Sequence, residues 1–549
     1  MKWRGGNVPA GAAGGAGAVA GMAMVRTALL ATVLALPMSA HGGFRQGGNR
    51  PPVAPRPDGA GSDPAAIAGD AVKAGVAGVW LTTADRSAML ARQPDVALGA
   101  PVKALTPWSP GVATAGPLPA APHAITIDVA HPGQPVLGFG ATLSAASAWL
   151  LLRLDAASRA ALLDDLFSRK GHGLGLGFMR LYLGASEFAR SRYSYGDTAD
   201  GVDDPGLAQV SLAPDRDHVI PMAQEALARN PALEFVGSPT SAPGWMKTSG
   251  SVVQGALTPD AYAAYARYLR RVVDLYLEEG IALYALTMQN DPQPRTVDAP
   301  ADAPGMRLDA KARAELAGRH LGPLLQEGGP RLLEWDGDWD GAAGVRNVLS
   351  DQAARSHLAG VAWHCHGGTP DAQGALRAQW PDSEAYITEC SGGDWAPDWG
   401  GNLLYFARVL AGGVRHGARG IALGNLALDE HGGPRTGGCR GCRGVVTITA
   451  GGVVRNPEYY ALAHASRWVL PGARALPAGD GRDGVEQAAF INPDGSVVLL
   501  LVNSAPAPRA VTVTAGPRGL GYTLPAGSVA TLAWRMSSPV ATDSAAPPH

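Results

Sequence analysis

At 549 residues, 46% of them hydrophobic, the chain is too long for a single core and is expected to form two or three domains. A formal net charge of −2 leaves no electrostatic footprint for nucleic acid or for an acidic membrane surface, so neither is expected as a partner. Lysine is scarce while alanine, glycine and arginine abound, a bias of base composition rather than of function.

The N-terminus reads as an export signal. Arg26 precedes an apolar core from Thr27 to Pro37, and Met38-Ser39-Ala40 offers a cleavage site, so residues 1–42 are taken as a leader. Met22 and Met24 are alternative starts. The apolar run is too short for a comfortable membrane span, and no other segment qualifies. The mature chain is therefore expected to be secreted or periplasmic, with no integral membrane segment. Residues 43–74 are rich in glycine, proline and alanine and read as a flexible linker. Strand-like pieces between Val79 and Ile127 follow, and residues 75–127 are expected to complete a sandwich with the C-terminal strands.

Residues 128–466 alternate short apolar runs with helical stretches. The runs are Val136–Phe139, Phe178–Leu183, Leu233–Gly237, Leu283–Thr287, Arg331–Trp335, Val361–His364, Ala385–Thr388 and Ile421–Leu426. In the segment Thr258–Gly280, Tyr262, Tyr265, Leu269, Val272 and Tyr276 recur at steps of three and four. Thr258 is expected at its N-cap, Pro259 in its first turn and Gly280 at its end. Eight strand–helix units predict an α/β fold, a (β/α)8 barrel with insertions. From 467 to 536 the pattern changes to Ala488–Ile491, Val497–Val502, Ala510–Thr514 and Val529–Trp534, with Asn492-Pro493-Asp494-Gly495 as a hairpin turn. This predicts a small antiparallel β-sandwich. Residues 537–549, rich in serine, proline and alanine, read as a disordered tail.

Two of the apolar runs end in carboxylates: Met288-Gln289-Asn290-Asp291-Pro292 and Ile387-Thr388-Glu389-Cys390-Ser391. Acids at the C-terminal tips of two strands of one barrel are what a glycosidase needs. Taken singly, Asp291 also reads as a turn acid before proline and Glu389 as a structural ion. Asp336, Asp338 and Asp340 read as solvated turn acids, one of which could stand in for a catalytic acid. Cys439-Arg440-Gly441-Cys442 reads as a local disulfide, with metal binding the lesser alternative, and Cys365 and Cys390 as buried apolar fillers. No metal or cofactor is expected.

Across Val79–Trp534 the chain resembles family 30 of the glycoside hydrolases, which includes glucosylceramidases and bacterial endo-β-1,6-glucanases. The matching residues are Gly138-Phe139-Gly140-Ala141, Arg180, Ser191 to Tyr195, Ser238-Pro239, Pro243 to Thr248, Thr287 to Pro292, Ala362-Trp363-His364-Cys365, Ile387 to Gly393 and Asn425 to Pro434. The resemblance implies retaining hydrolysis with Glu389 as nucleophile and Asp291 as acid/base. It also implies Asn290 on the sugar 2-hydroxyl and Arg180 and His364 supporting the carboxylates. The acid/base is expected to be held protonated by burial beside a like charge.

Departures from the family pattern cluster where the sugar would sit. Asp291 replaces a glutamate, Glu187 an aspartate, Thr240 and Gly424 two tryptophans, and His366 a tyrosine. His366 is expected as a polar wall residue rather than a metal ligand, and Trp245 as core. Trp363, Trp395 and Trp399 are candidate sugar platforms or packing residues. Glu187, His366, Trp395 and Asn425 join Asn290, Arg180 and His364 as expected substrate-binding residues. The expected activity is hydrolysis of a β-linked glucan or glycolipid by a monomer. The alternatives are a catalytically weakened or inactive descendant that binds glycan and a secreted structural or adhesive module.

Overall fold

The computed structural model describes residues 75–100, 122–198, 201–293 and 302–536. The leader, the linker 43–74 and the tail 537–549 lie outside the described residues.

Three strands open the described chain: β1 (Val76–Thr83), β2 (Ala91–Ala97) and β3 (His123–Ile127). There follow β4 (Gly138–Leu143), β5 (Phe178–Leu183), β6 (Glu234–Pro239), β7 (Leu283–Thr287), β8 (Arg331–Asp338), β9 (Leu358–His364), β10 (Glu384–Glu389), the short β11 (Gly392–Gly393) and β12 (Ala418–Asn425). Strands β4 to β10 and β12 close, in chain order, into an eight-stranded barrel whose paired strands are all parallel. Parallel strands buried on both faces need continuous apolar runs, which is why all eight were readable from sequence.

One layer of the barrel interior is filled by Phe178, Val236, Ala285, Leu333, Ala362, Tyr386 and Ala422. Large and small residues alternate there. The Phe178 and Tyr386 rings stack at 5.8 Å. Gly140 and Gly420 make room for Phe178, since a Cβ at Gly140 would lie 2.1 Å from the Phe178 carbonyl oxygen and one at Gly420 2.7 Å from its ring. The 3.6-residue pattern after Thr258 forms the helix Tyr262–Glu278, which ends before Gly280 at φ +79°. Its start differs from expectation. Pro259–Ala261 form a 3₁₀ turn first, and the Thr258 hydroxyl donates to the Met246 carbonyl instead of capping the helix.

After the barrel come β13 (Ala427–Asp429), β14 (Cys442–Arg443), β15 (Val446–Thr449) and β16 (Gly452–Arg455). Then come β17 (Arg474–Leu476), β18 (Val485–Ile491), β19 (Ser496–Asn503), β20 (Arg509–Ala515), β21 (Arg518–Leu524) and β22 (Ser528–Arg535). The C-terminal sandwich has a six-stranded sheet in the order β17-β18-β19-β22-β1-β2 and a three-stranded sheet β21-β20-β3. Both enclose one core that includes Val79, Ile125, Leu499, Val511 and Trp534. Strands β1 and β2 cover what would otherwise be the exposed edge of β22. The pair β3–β20 runs parallel, a departure from the all-antiparallel expectation. His464, on the helix Pro457–Ser466 after the barrel, bonds Thr82 of β1 and Thr531 of β22 at 2.9 Å each. Burial pushes its imidazole down to about 3, so it is neutral there.

Candidate active site

All the strand tips named below lie at one end of the barrel because the strands are parallel. Arg180 on β5 is fully buried and forms the hub. One of its terminal nitrogens donates to Glu389 Oε2 at 2.5 Å and to the Tyr182 hydroxyl at 3.1 Å. The other donates to Ser238 Oγ at 2.9 Å, Asn290 Oδ1 at 2.5 Å and Asp336 Oδ2 at 3.0 Å. Asp336 on β8 is equally buried and accepts from Ser238, from Thr287 at 2.8 Å, from Thr388 at 2.6 Å and from His364 Nε2 at 3.0 Å. This corrects its reading as a solvated turn acid. Asp338 is buried too and accepts from the His366 backbone N–H at 2.9 Å, whereas Asp340 is exposed.

Glu389, at the tip of β10, receives Arg180, the Tyr182 hydroxyl at 3.0 Å and His366 Nε2 at 3.2 Å. Burial alone would raise its pKa, but His364, His366 and Arg180 outweigh that and hold the carboxyl well below the usual range. Its partners therefore favour the anion. Burial likewise works against charge on His364, yet Glu389, Asp291 and Asp336 push it up to about 10. His364 Nδ1 lies 3.3 Å from Asp291 Oδ1. That approach is too poorly aligned for a hydrogen bond. Asp291 is 49% exposed, so the burial expected for the acid/base is absent.

The backbone here is constrained. Asp291, Trp335 and Asp336 have φ of +45°, +73° and +79°, the left-handed region that non-glycine residues avoid. The Asp291 N–H donates to the Asp336 carbonyl at 2.9 Å, tying the two together. Trp335 is accommodated because Gly337 and Gly341 lie under its ring, where a Cβ at Gly341 would come within 2.0 Å.

Glu187, in the loop after β5, is half-buried. Burial first, then the charges of Glu389 and Asp291, lift its carboxyl to about 7. Its stem packs over Gly438, just before the disulfide-closed loop Cys439–Cys442, where a Cβ would meet Glu187 Cγ at 2.2 Å. Asn425 is buried at the tip of β12, and its Oδ1 has no hydrogen-bond partner among the described residues. Trp395 is 56% exposed. The Trp363 ring is fully buried and packs in the core, so it is no platform. Trp399 packs against Tyr460 and Arg86, and Trp245 is partly buried against the core.

The second disulfide joins Cys365 to Cys390, correcting their reading as separate apolar fillers. Tyr182, Thr287 and Thr388 were not singled out from sequence. Tyr182 could have been, because it stands two residues after Arg180 and so faces the same side of β5. Among the described residues no cluster of His, Cys, Asp and Glu could hold a metal ion, and no helix is long and apolar enough to cross a membrane.

The comparisons agree with this geometry. The model of the glycosyl hydrolase family 30 TIM-barrel domain matches residues 136–469, and that of the family's beta sandwich domain matches 476–532. An endo-1,6-beta-D-glucanase of Aspergillus fumigatus is 30% identical over 421 residues, 71% of this chain and 83% of that protein. The lysosomal acid glucosylceramidase of Mus musculus is 26% identical over 434 residues, 73% of this chain and 81% of that protein. Among solved structures, the endo-beta1,6-glucanase BT3312 superposes with a TM-score of 0.74 at 28% identity, covering 84% of this chain and 100% of that one. With both of its domains matched in order and its carboxylates gathered at the barrel's C-terminal end, the chain belongs to glycosyl hydrolase family 30 and is a glycosidase.

Proposed function

We propose that this chain is an exported, retaining β-glycosidase acting on β-glucosides, either a β-1,6-glucan or a glucosylceramide-like glycolipid. The observation that carries the reading is the Arg180 hub, which binds Glu389 and Asn290 directly and so brings the tips of β7 and β10 to one site. In the first step Glu389 attacks the anomeric carbon while Asp291 gives a proton to the departing glycosidic oxygen. In the second, Asp291 takes a proton from water, which attacks the glycosyl ester and frees Glu389. Arg180, Tyr182 and His366 orient the nucleophile, and Asn290, held by Arg180, is assigned to the sugar 2-hydroxyl. No cofactor is needed for this chemistry. Two disulfides using all four cysteines fit export to an oxidising compartment.

The exposure of Asp291 and its pairing with His364 favour one second reading, a weakened enzyme that mainly binds glycan. Turnover of aryl β-glucoside, β-xyloside and β-galactoside, and of β-1,6-glucan, separates the two, with Glu389→Gln as the blank. The expected result is β-glucoside hydrolysis with the β-anomer released first by proton NMR. Absence of turnover above the blank on every substrate would leave only binding, and initial release of the α-anomer would refute the retaining mechanism.

A further inference from the structure

The disulfide Cys365–Cys390 sits between catalytic groups. Cys365 lies between His364 and His366 at the tip of β9, and Cys390 directly follows Glu389 at the tip of β10. Strands β9 and β10 pair in register up to Ile387 and Trp363, after which the ladder shifts to place Glu389 opposite His364. At the shift, the backbone bond from Cys365 N–H to the Glu389 carbonyl is stretched to 3.3 Å. Regular pairing therefore weakens where the nucleophile needs to be held most closely. The covalent bond, with its Cα atoms 5.1 Å apart, takes over at that point. Both sulfurs belong to buried residues, and the Tyr405 hydroxyl braces Cys365 from the helix Trp399–Arg415, 3.1 Å from its carbonyl and 3.3 Å from its sulfur. Cys390 is tied on its other side, its carbonyl accepting the Gly424 N–H of β12 at 2.9 Å.

Of the groups that hold Glu389 anionic, Arg180 stands on β5, but His364 ends β9 and His366 follows two residues beyond it. Their reach to Glu389 depends on the spacing of the two tips. The His366 bond, at 3.2 Å, is already near the limit for a hydrogen bond. A shift of about 1 Å would break it, and misplacement of that size can cost about 10²-fold in rate.

We propose that the Cys365–Cys390 disulfide is a positioning element for the nucleophile, fixing His364 and His366 against Glu389 so that the carboxylate is anionic and aimed at the anomeric carbon. This rests on Glu389 being the nucleophile. Loss of the bond therefore acts on the glycosylation step and on the ionisation of Glu389, beyond any effect on folding. The loop Cys439–Cys442 pairs its end with Gly392–Gly393 and does not carry these histidines, so its disulfide serves as the comparison.

The test uses the full chain with a dinitrophenyl β-glucoside, whose leaving group departs without protonation, so that its kcat/KM, which covers only the steps up to the glycosyl ester, reports on Glu389 rather than Asp291. Competent sites are counted by the burst of a dinitrophenyl 2-fluoroglucoside, which divides out any unfolded fraction. Cys365→Ala/Cys390→Ala is expected to lower kcat/KM per competent site, and the rate of labelling by the 2-fluoroglucoside, about 10- to 100-fold. It should also move the acidic limb of kcat/KM upward, as Glu389 binds its proton more tightly. Cys439→Ala/Cys442→Ala should leave that limb in place. The same readings on the Cys439→Ala/Cys442→Ala chain, treated with a phosphine reductant while circular dichroism stays native, cover the case in which the first double variant fails to fold. An unchanged kcat/KM and acidic limb after loss of the bond, with only the melting temperature lowered, would overturn the proposal. A wild-type chain that turns over substrate but carries no label at Glu389 would overturn it together with the nucleophile assignment, whereas labelling at equal rates with and without the bond would overturn it alone.

Discussion

Lengthening the proposed acid by one methylene, Asp291→Glu, tests its reach to the glycosidic oxygen. The added C–C bond gives about 1.5 Å of reach. Two costs oppose the gain. The first is crowding, which in a closed core costs about 1–3 kcal/mol, but Asp291 is 49% exposed and the longer chain can extend into open space. The second is the left-handed backbone at φ +45°, which tolerates aspartate better than glutamate. Both residues already bear most of that strain, so the difference should be a fraction of the roughly 1–2 kcal/mol that the conformation costs an ordinary residue. Against these stands general acid catalysis, worth about 10²–10⁴-fold, of which a short acid realises only a part. The gain is expected to win. Release of reducing sugar from β-1,6-glucan or an alkyl β-glucoside should rise about 10- to 100-fold, while kcat/KM for dinitrophenyl β-glucoside, which needs no proton from residue 291, should change less than about 3-fold. A fall on both substrates would refute the reasoning, showing a site already rebuilt around the shorter acid. An equal rise on both would locate the defect in nucleophilic attack instead.

Three further outcomes are expected. Asp336→Asn removes the anion that faces both Arg180 and His364 in full burial, so chemical denaturation should show a loss of about 3–5 kcal/mol, and kcat should fall with it. Glu187, raised from an ordinary 4.5 to about 7 by burial and its carboxylate neighbours, stays protonated in the folded chain where the unfolded chain has ionised. Its contribution to stability is thus full below pH 4.5 and is lost as pH rises through 7, so melting curves should show Glu187→Gln gaining on the wild type above pH 7 relative to pH 4. His464 has the opposite sign, because burial lowers it from 6.5 to about 3. Its contribution is present above pH 6.5 and is lost as pH falls, by about 2–3 kcal/mol at pH 4.5, and urea unfolding of His464→Gln at pH 7 and pH 4.5 should show a smaller difference between the two than the wild type does.

The barrel was legible because each strand is a buried apolar run, and Glu389, the proposed nucleophile, stood out because it ends one. Legibility failed where polar residues continue a strand into the site. The run Arg331–Trp335 was cut short because Asp336-Gly337-Asp338 looks like a turn, although the strand extends to Asp338 and Asp336 is buried within it. A buried acid and a turn acid have the same one-dimensional signature. Only the partners distinguish them, and Arg180 and His364 come from strands 156 and 28 residues away. The pairing of Cys365 with Cys390 was hidden for the same reason, since it depends on β9 and β10 being neighbours in the closed barrel. The positions that depart from the family pattern can now be weighed by place. Gly424 opens no empty space, since a Cβ there would lie 2.4 Å from Ser391 Oγ, and the Thr240 hydroxyl is occupied, donating to the Ala185 carbonyl at 2.6 Å. The substitutions free to act on substrate are thus Glu187, Asp291 and His366, each of them ionisable. If the proposed site is retuned, charge and reach carry the change more than lost aromatic stacking, and its expected signature is a changed pH profile rather than weaker binding alone.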